Sequence, residues 1–144
     1  MAHAFEVSVR LKQGMQGEAA PAGVAHAVPW SVPKEFGGPG GEWTPEHFLA
    51  SSVGTCILAT FLYMAKVSKL EVVGYESKAS CTMEKGPEGL RVTQVTVAPR
   101  ITVRAEADKE RAQRMIEKAE ATCPISASLK AHVTLQATVT AAGA

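Results

Sequence analysis

Three cysteines carry the reactive chemistry of this chain: Cys56, Cys81 and Cys123. None belongs to a C-x-x-C pair, so the spacing favours neither a thioredoxin-type motif nor a zinc knuckle. Cys56 lies in a long run without charged residues, and Cys123 stands directly before a proline. A cysteine at such a break can reach inward, because the chain turns there. Cys56 and Cys123 are therefore the candidates for thiol chemistry, and inert packing is the alternative for any one buried cysteine.

The remaining candidates are weaker. Cys81 falls on the apolar face of a predicted strand, where a small buried hydrophobe explains it. The four histidines are scattered, so a metal site would have to be assembled wholly by the fold. A cysteine hydrolase using His47 or His132 as its base is a third reading, but neither histidine falls in a recognisable motif.

The segment that must position Cys56 is a predicted helix over residues 44–66. Thr44 can cap it, Pro45 suits its first position, and Glu46 places a negative charge in its first turn. Residues 48–65 contain no charge, and the run is apolar or small on all sides, which predicts a helix enclosed on every side. Its length would also suit a membrane span. Serine, threonine and glycine lower the hydrophobicity of this helix, and strand patterns flank it. We therefore expect it to be the buried central helix of a soluble domain.

The rest of the chain alternates between strand patterns and one amphipathic helix. Strands are predicted for residues 5–12, 23–32, 70–84, 90–104 and 133–139, with a turn at 14–17, a glycine-rich loop at 34–41, a helix at 108–122 and a short helical turn at 126–131. The two strands flanking residues 85–89 form an antiparallel hairpin. The sum predicts an α+β fold, with antiparallel sheets wrapped around a long central buried helix in a single domain of residues 1–144.

The charge balance excludes several classes of function. The chain has 144 residues, 15 basic and 14 acidic side chains, and a net charge of +1. The sequence lacks a basic stripe that would indicate nucleic-acid binding. Its first residues alternate like a strand instead of forming the apolar core of a signal peptide. We expect a cytoplasmic protein without membrane attachment, in which thiols stay reduced.

Several motifs together resemble the OsmC / organic hydroperoxide resistance (Ohr) family. They are the T-P-E start at residues 44–46, a charge-free helix with a cysteine ten positions after the glutamate, and C-P-I-S at 123–126 followed by a strand. The segment P-K-E-F-G-G-P-G-G at 33–41 is similar to the lead-in of the Ohr branch. The order of strands and helices agrees along nearly the whole chain. The resemblance implies the intertwined homodimer of that family.

The resemblance further implies a thiol peroxidase without metal or organic cofactor. Cys56 matches the peroxidatic cysteine, which as a thiolate reduces an organic hydroperoxide to an alcohol and becomes a sulfenic acid. Cys123 matches the resolving cysteine, which closes a Cys56–Cys123 disulfide. An external dithiol, often a protein-bound lipoyl group in the family, then reduces it. Glu46 matches the glutamate that holds an arginine beside the reactive sulfur.

Geometry limits the role of Glu46. Ten residues of a straight helix rise by about 15 Å, so Glu46 and Cys56 of one straight helix cannot share a compact site. Either the helix is broken or Glu46 serves the cysteine of a partner chain. The second option agrees with the dimer that the resemblance implies, and an all-round apolar helix also needs more cover than one small sheet provides.

One position departs from the family. The Ohr branch places its arginine in the first hairpin turn, where this chain has Met15, and the other branch supplies it from the loop before the helix, where this chain has Lys34. A lysine carries a positive charge, but it cannot make the bidentate contact with the Glu46 carboxylate that an arginine can make. The alternative function is therefore a non-catalytic OsmC-like dimer that binds a small hydrophobic molecule.

Overall fold

Residues 1–143 are described by a computed structural model that contains seven strands and three α-helices in that part of the chain. The strands are β1 Val7–Gln13, β2 Gln16–Pro21, β3 Val28–Ser31, β4 Val72–Gly86, β5 Gly89–Val103, β6 His132–Leu135 and β7 Thr138–Ala141. The helices are α1 Pro45–Val67, α2 Lys109–Ala121 and α3 Pro124–Ala127. The chain divides into two compact units, an N-terminal unit Met1–Phe48 and a C-terminal unit Leu49–Ala144. The α+β class with two sheets is confirmed.

The N-terminal unit contains a three-stranded antiparallel sheet in the order β1-β2-β3. The strand predicted within residues 23–32 is present but shorter, as β3, whereas β2, which begins after a two-residue turn, was not predicted. Gly17 explains the early start of β2. A side chain at this position would collide with the Arg10 carbonyl and the Trp30 ring on the two neighbouring strands, so only glycine permits this close pairing.

The glycine-rich segment after β3 is a loop, as predicted, apart from one turn of 3-10 helix at Lys34–Phe36. Gly37, Gly40 and Gly41 have φ angles of 83°, 66° and 84°. These left-handed conformations suit glycine, which lacks a Cβ atom. The stem of Lys34 lies against Gly40, so the lysine packs on its own loop.

Helix α1 begins at Pro45, as predicted, and Thr44 is its cap. The Thr44 backbone N–H donates to Nδ1 of His47 at 2.9 Å, and the His47 N–H donates to Oγ1 of Thr44 at 3.4 Å. This reciprocal arrangement is a capping box in which histidine takes the place of the usual glutamate or glutamine.

The prediction that α1 is enclosed on every side is wrong for a single chain. Its buried residues are Ala50, Val53, Gly54, Ile57, Phe61 and Ala65, which recur every three or four positions and define one face. On the other side Leu62 is 48% exposed and Tyr63 is 70% exposed. The helix is long and apolar enough to cross a membrane, but the core helix of a soluble protein meets the same criterion. Its buried face packs into the core of its own chain.

The C-terminal unit is built on a long hairpin. Strands β4 and β5 pair antiparallel along almost their whole length, as predicted. The last strand of the prediction is two strands, and both β6 and β7 pair parallel to β5. The sheet is therefore mixed, since only its hairpin is antiparallel. Strand β5 lies in its centre, and Val95, Val97, Ile101 and Val103 point into the core.

Helix α2 covers the core with Ala112, Ile116 and Ala119, and its amphipathic pattern is confirmed. Asp108 stands at the N-cap position of α2. The Asp108 carboxylate makes no capping hydrogen bond and instead pairs with Arg111 at 3.1 Å. The chain enters α2 through a short 3-10 helix at Glu106–Asp108, which supplies the first turn.

Candidate active site

Cys56 lies at the edge of the buried face of α1. Its neighbours Val53 and Ile57 are fully buried, whereas Cys56 itself is half-buried. Thr60 lies one turn further along the helix, and its hydroxyl donates to the Cys56 carbonyl oxygen at 2.9 Å. The Cys56 sulfur thus combines contact with the core and a path to solvent, which a reactive thiol requires.

Cys123 reaches the core because Pro124 ends the preceding helix. A residue before proline is disfavoured in the helical region, and Cys123 adopts φ −64° and ψ 116°. Pro124 then starts α3, with Cys123 as the residue that caps it. The Cys123 sulfur accepts the backbone N–H of Ser126 at 3.4 Å and is fully buried.

The two sulfurs meet inside the C-terminal unit. Both cysteines are free thiols, both pack in the same core cluster, and each influences the pKa of the other. The sequence-based selection of these two cysteines is supported by their proximity. A contact of this kind allows either sulfur to receive a proton from the other or to form a bond to it.

The hydrogen bonds affect the two thiols in opposite directions. Burial raises the pKa of Cys56, and its hydrogen bond to Cys123 raises it further, against smaller lowering effects of the Ile125 backbone and Thr60. Burial also raises the pKa of Cys123. Hydrogen bonds from Cys56, from the hydroxyl and backbone N–H of Ser126 and from Ile125 outweigh burial, so the Cys123 pKa is lowered overall. The Cys123 surroundings therefore favour the thiolate more than those of Cys56 do within the single chain.

Ser126 and Thr60 are site residues that the sequence-based selection missed. The C-P-I-S motif contained the signal for Ser126, since a serine three residues after a capping cysteine directs its N–H back to the cap. The Ser126 hydroxyl oxygen is buried without a hydrogen-bond partner among residues 1–143, and its nearness to Cys123 helps to lower the pKa of that thiol. The signal for Thr60 is its position four residues after Cys56, one helical turn away.

Glu46 lies in the first turn of α1, half-buried and ten residues before Cys56. Because α1 is continuous from Pro45 to Val67, the alternative of a broken helix is wrong. The rise between the two residues is about 15 Å, so Glu46 does not act on Cys56 of its own helix. Its assignment to the cysteine of a second chain stays a prediction.

Met15 and Lys34 belong to the N-terminal unit. Met15 is 47% exposed in the turn between β1 and β2, and Lys34 is exposed. The influences on the Cys56 pKa described above come from burial, Cys123, Ile125 and Thr60, none of which is a cation. The assignment of Lys34 as a replacement cation stays a prediction as well.

The other candidates gain no support. His47 is engaged in the cap of α1 through its Nδ1 atom, and His132 is exposed at the start of β6. Within residues 1–143, no cluster of three or more His, Cys, Asp or Glu side chains could hold a metal ion. Two cavities of about 320 and 440 Å³ adjoin Arg100 and Thr138 on the sheet, and neither is lined by Cys56 or Cys123.

Comparison with known proteins identifies the family of the chain. A family model described as OsmC-like protein matches residues 38–138. An organic hydroperoxide resistance protein of Xanthomonas axonopodis pv. citri is 29% identical over 128 residues, covering 88% of this chain and 87% of the relative. Peroxiredoxin OsmC of Escherichia coli is 24% identical over 125 residues, covering 87% and 86%.

The fold has solved counterparts. An OsmC-like protein of unknown function from Vibrio cholerae superposes with a TM-score of 0.85 at 16% identity, covering 95% of this chain and all of that one. The match to the family model spans most of the chain, including both cysteines and Glu46. The chain belongs to the OsmC-like family, whose named members include organic hydroperoxide resistance proteins and a peroxiredoxin.

Proposed function

We propose that the protein is a thiol peroxidase that reduces organic hydroperoxides to alcohols, with Cys56 as the peroxidatic and Cys123 as the resolving cysteine. The observation that carries this proposal is the packing of two free cysteines in one core cluster, one half-buried and one fully buried. A peroxidatic sulfur needs access to substrate, which Cys56 has. A resolving sulfur needs only access to its partner, which Cys123 has.

The reaction proceeds in two steps. The Cys56 thiolate attacks the terminal oxygen of the hydroperoxide, the O–O bond breaks, and the alkoxide leaves and takes a proton to become the alcohol. Cys56 is then a sulfenic acid. The Cys123 thiolate attacks the Cys56 sulfur, the S–O bond breaks, and hydroxide leaves with formation of the disulfide.

The disulfide must be reduced from outside. We propose an external dithiol for this step, such as a protein-bound lipoyl group, which attacks the disulfide and leaves oxidised. A cytoplasmic location would supply such reductants. The fully buried Val53 and Ile57 beside Cys56 favour an organic substrate, whose apolar tail can contact them.

We also propose that the protein is a homodimer and that Glu46 acts at the Cys56 site of the partner chain. The apolar side chains of β1 support this, since Val9 and Leu11 are 65% and 69% exposed. Leu62 and Tyr63 on α1 are exposed as well and add to the uncovered apolar surface. Light scattering should give twice the chain mass of 15.2 kDa, and a monomer would contradict both the dimer and the role of Glu46.

A second candidate function is a non-catalytic dimer that binds a small hydrophobic molecule. Two observations favour it: Met15 stands where the Ohr branch has its arginine, and burial raises the Cys56 pKa. A poorly ionised thiol reacts slowly with peroxide.

Thiol counting separates the two candidates. Cumene hydroperoxide should remove two thiols per chain from the wild type, and a dithiol should restore them. Cys81→Ser should also lose two, whereas Cys56→Ser should lose none. Three thiols remaining after exposure of the wild type to hydroperoxide would exclude the peroxidase and leave the binding protein.

A further inference from the structure

Gly54 stands in the middle of a long helix, where glycine is an unfavourable residue. It lies two residues before Cys56 and is buried on the face of α1 that packs into the core. Glycine is less stable than alanine in a helix interior, because it loses more backbone freedom on folding. A buried glycine at this position therefore indicates that the surrounding structure requires space there.

The space beside Gly54 is occupied by strand β4. A Cβ atom on Gly54 would lie 3.3 Å from the Cβ atom of Ala79. Carbon atoms that are not bonded to each other pack best at about 3.5–4.0 Å. A side chain in place of Gly54 would therefore push α1 and β4 apart by a few tenths of an ångström. Ala79 contributes only a methyl group, so both residues of this contact are small.

The next contact between the same two elements is made by large side chains. Phe61, two turns further along α1, packs against Tyr75 of β4, with the ring centroids 5.9 Å apart. Large side chains keep packed elements apart, whereas small ones let the backbones approach. Helix α1 is therefore held closest to β4 at Gly54, in the turn that also carries Cys56.

Cys123 belongs to neither of the elements that meet at Gly54. It follows α2 and caps α3, and it packs in the same core cluster as Val97, the residue of β5 that pairs with Ala79. A shift of α1 away from β4 would therefore move Cys56 relative to Cys123. A disulfide needs the two Cβ atoms at about 3.5–4.5 Å, and departures from this geometry store strain.

We propose that Gly54, together with Ala79, is a positioning residue for closure of the Cys56–Cys123 disulfide. Their contact holds α1 close enough to the β4–β5 hairpin for the two sulfurs to bond. The inference rests on the proposed function, in which this disulfide is the product of the second step. All four residues lie in the C-terminal unit of one chain.

The first measurement is the equilibrium between dithiol and disulfide in buffers of reduced and oxidised dithiothreitol. All proteins carry Cys81→Ser, so that two thiols remain to be counted. Gly54→Ala should lower the equilibrium constant for the disulfide about tenfold, because the displaced Cys56 sulfur closes a strained bond. Gly54→Val brings a larger side chain to the same contact and should lower it about a hundredfold.

The matched control is the same substitution at another glycine of β4. A Cβ atom on Gly74 would meet Thr102 at 3.6 Å, which is an ordinary contact distance. Gly74→Ala should therefore leave the dithiol–disulfide equilibrium unchanged. The urea midpoint of each reduced protein is measured alongside. Gly54→Ala should keep or raise this midpoint, because alanine favours the helix, so loss of stability cannot explain a weaker disulfide.

Exchanging the two small residues tests the contact itself. Gly54→Ala combined with Ala79→Gly keeps one methyl group between α1 and β4. This double variant should bring the equilibrium constant back to within about twofold of the background protein, because the two substitutions compensate each other in space. A role of Gly54 in the stability of α1 alone would give no such rescue.

The second measurement adds one equivalent of cumene hydroperoxide in the presence of a dimedone-type probe. In the background protein Cys123 should close the disulfide before the probe reacts with the sulfenic acid. Gly54→Ala should leave the sulfenic acid open for longer, so that about ten times more probe is attached to Cys56. Mass spectrometry of the Cys56 peptide gives this fraction.

Two results would overturn the inference: a disulfide equilibrium in Gly54→Val that equals the background, or a double variant that closes no better than Gly54→Ala. If circular dichroism shows that Gly54→Val does not fold, Gly54→Ala and the double variant decide. Failure of the proposed function looks different. A background protein that forms the Cys56–Cys123 disulfide in dithiothreitol buffers but consumes no hydroperoxide overturns the peroxidase and leaves the positioning role of Gly54 in place.

Discussion

The N-terminal and C-terminal units bury apolar side chains very differently. The buried hydrophobic residues all lie at Ala50 or beyond, and they form one cluster around α1, β5 and α2. In the N-terminal unit the most buried side chains are polar, namely Ser31 and Thr44, while every residue of β1 is exposed. Both cysteines belong to the unit with a core. Glu46, Met15 and Lys34 belong to the unit without one.

This difference has a chemical meaning. The sulfur pair is held by a close-packed core within one chain, so its geometry is already fixed before any partner binds. The residues that would supply a carboxylate or a cation lie in a unit whose apolar surface is uncovered. Under the proposed dimer, their contribution to the site depends on association with another chain, whereas both cysteines lie within one unit.

The largest expected effect comes from removing the peroxidatic sulfur. Cys56→Ser should reduce hydroperoxide consumption by at least about a thousandfold, because a serine hydroxyl is a far weaker nucleophile than a thiolate. Consumption is followed by loss of cumene hydroperoxide with a dithiol present. Cys81→Ser is the control and should retain wild-type turnover, and turnover by Cys56→Ser would transfer the chemistry to another residue.

The next effect concerns stability and compares the units directly. Phe61→Ala should cost about 3–5 kcal/mol of unfolding free energy, because Phe61 is fully buried and packs near the ring of Tyr75. Leu11→Ala should cost less than about 0.5 kcal/mol if its side chain is as exposed as in the single chain. Urea titration at several protein concentrations checks both.

The same titration sharpens the comparison. If a second chain covers β1, the cost of Leu11→Ala becomes larger and depends on protein concentration. A small, concentration-independent cost would show that β1 is exposed in solution, which would contradict the proposed dimer surface on this strand.

A smaller effect is expected from the cations of the N-terminal unit. Met15→Arg should speed alkylation of Cys56 at neutral pH by about tenfold, since an added cation favours the thiolate. Lys34→Met should slow it if Lys34 supplies the missing charge. The measurement is the pH profile of alkylation in the three proteins. A Lys34 variant that matches the wild type would remove Lys34 from the site.

The smallest effect is expected at the start of α1. His47→Ala should cost about 1 kcal/mol of unfolding free energy, because the Thr44 N–H loses its acceptor. His47→Gln restores an acceptor at this position and should recover part of the loss, as glutamine does in an ordinary capping box. An unchanged stability of His47→Ala would show that water replaces the cap.

The elements with a strong local pattern were predictable from sequence. Helix α1 and the β4–β5 hairpin follow from a charge-free run and from alternation on both sides of a short turn. Strand β2 was missed because QGEAAP contains no alternating apolar residues, and its pairing depends on the absence of a side chain at Gly17. The division between β6 and β7 was missed because Gln136 and Ala137 are not turn residues.

The site was also predictable only where the local sequence carried a signal. Cys56 and Cys123 were selected from their settings in the sequence, and the family resemblance joined them as a pair. The surroundings of the two thiols could not be predicted, because they depend on the approach of Ser126 to Cys123 and of Cys123 to Cys56 in space. These contacts raise the pKa of Cys56 and lower that of Cys123.

The parallel pairing of β6 and β7 with β5 has a consequence for how the protein is made. The β4–β5 hairpin needs only neighbouring residues, but Cys123 lies in the connection that crosses from β5 to β6, and parallel pairing forms slowly. Helix α1 with Cys56 and strand β4 with Cys81 therefore leave the ribosome before the last strands can close the core. During that interval Cys56 lacks the proposed resolving thiol, so an oxidant met during synthesis would leave it as a sulfenic acid open to irreversible oxidation. We expect oxidative damage in the cell to concentrate on newly made chains.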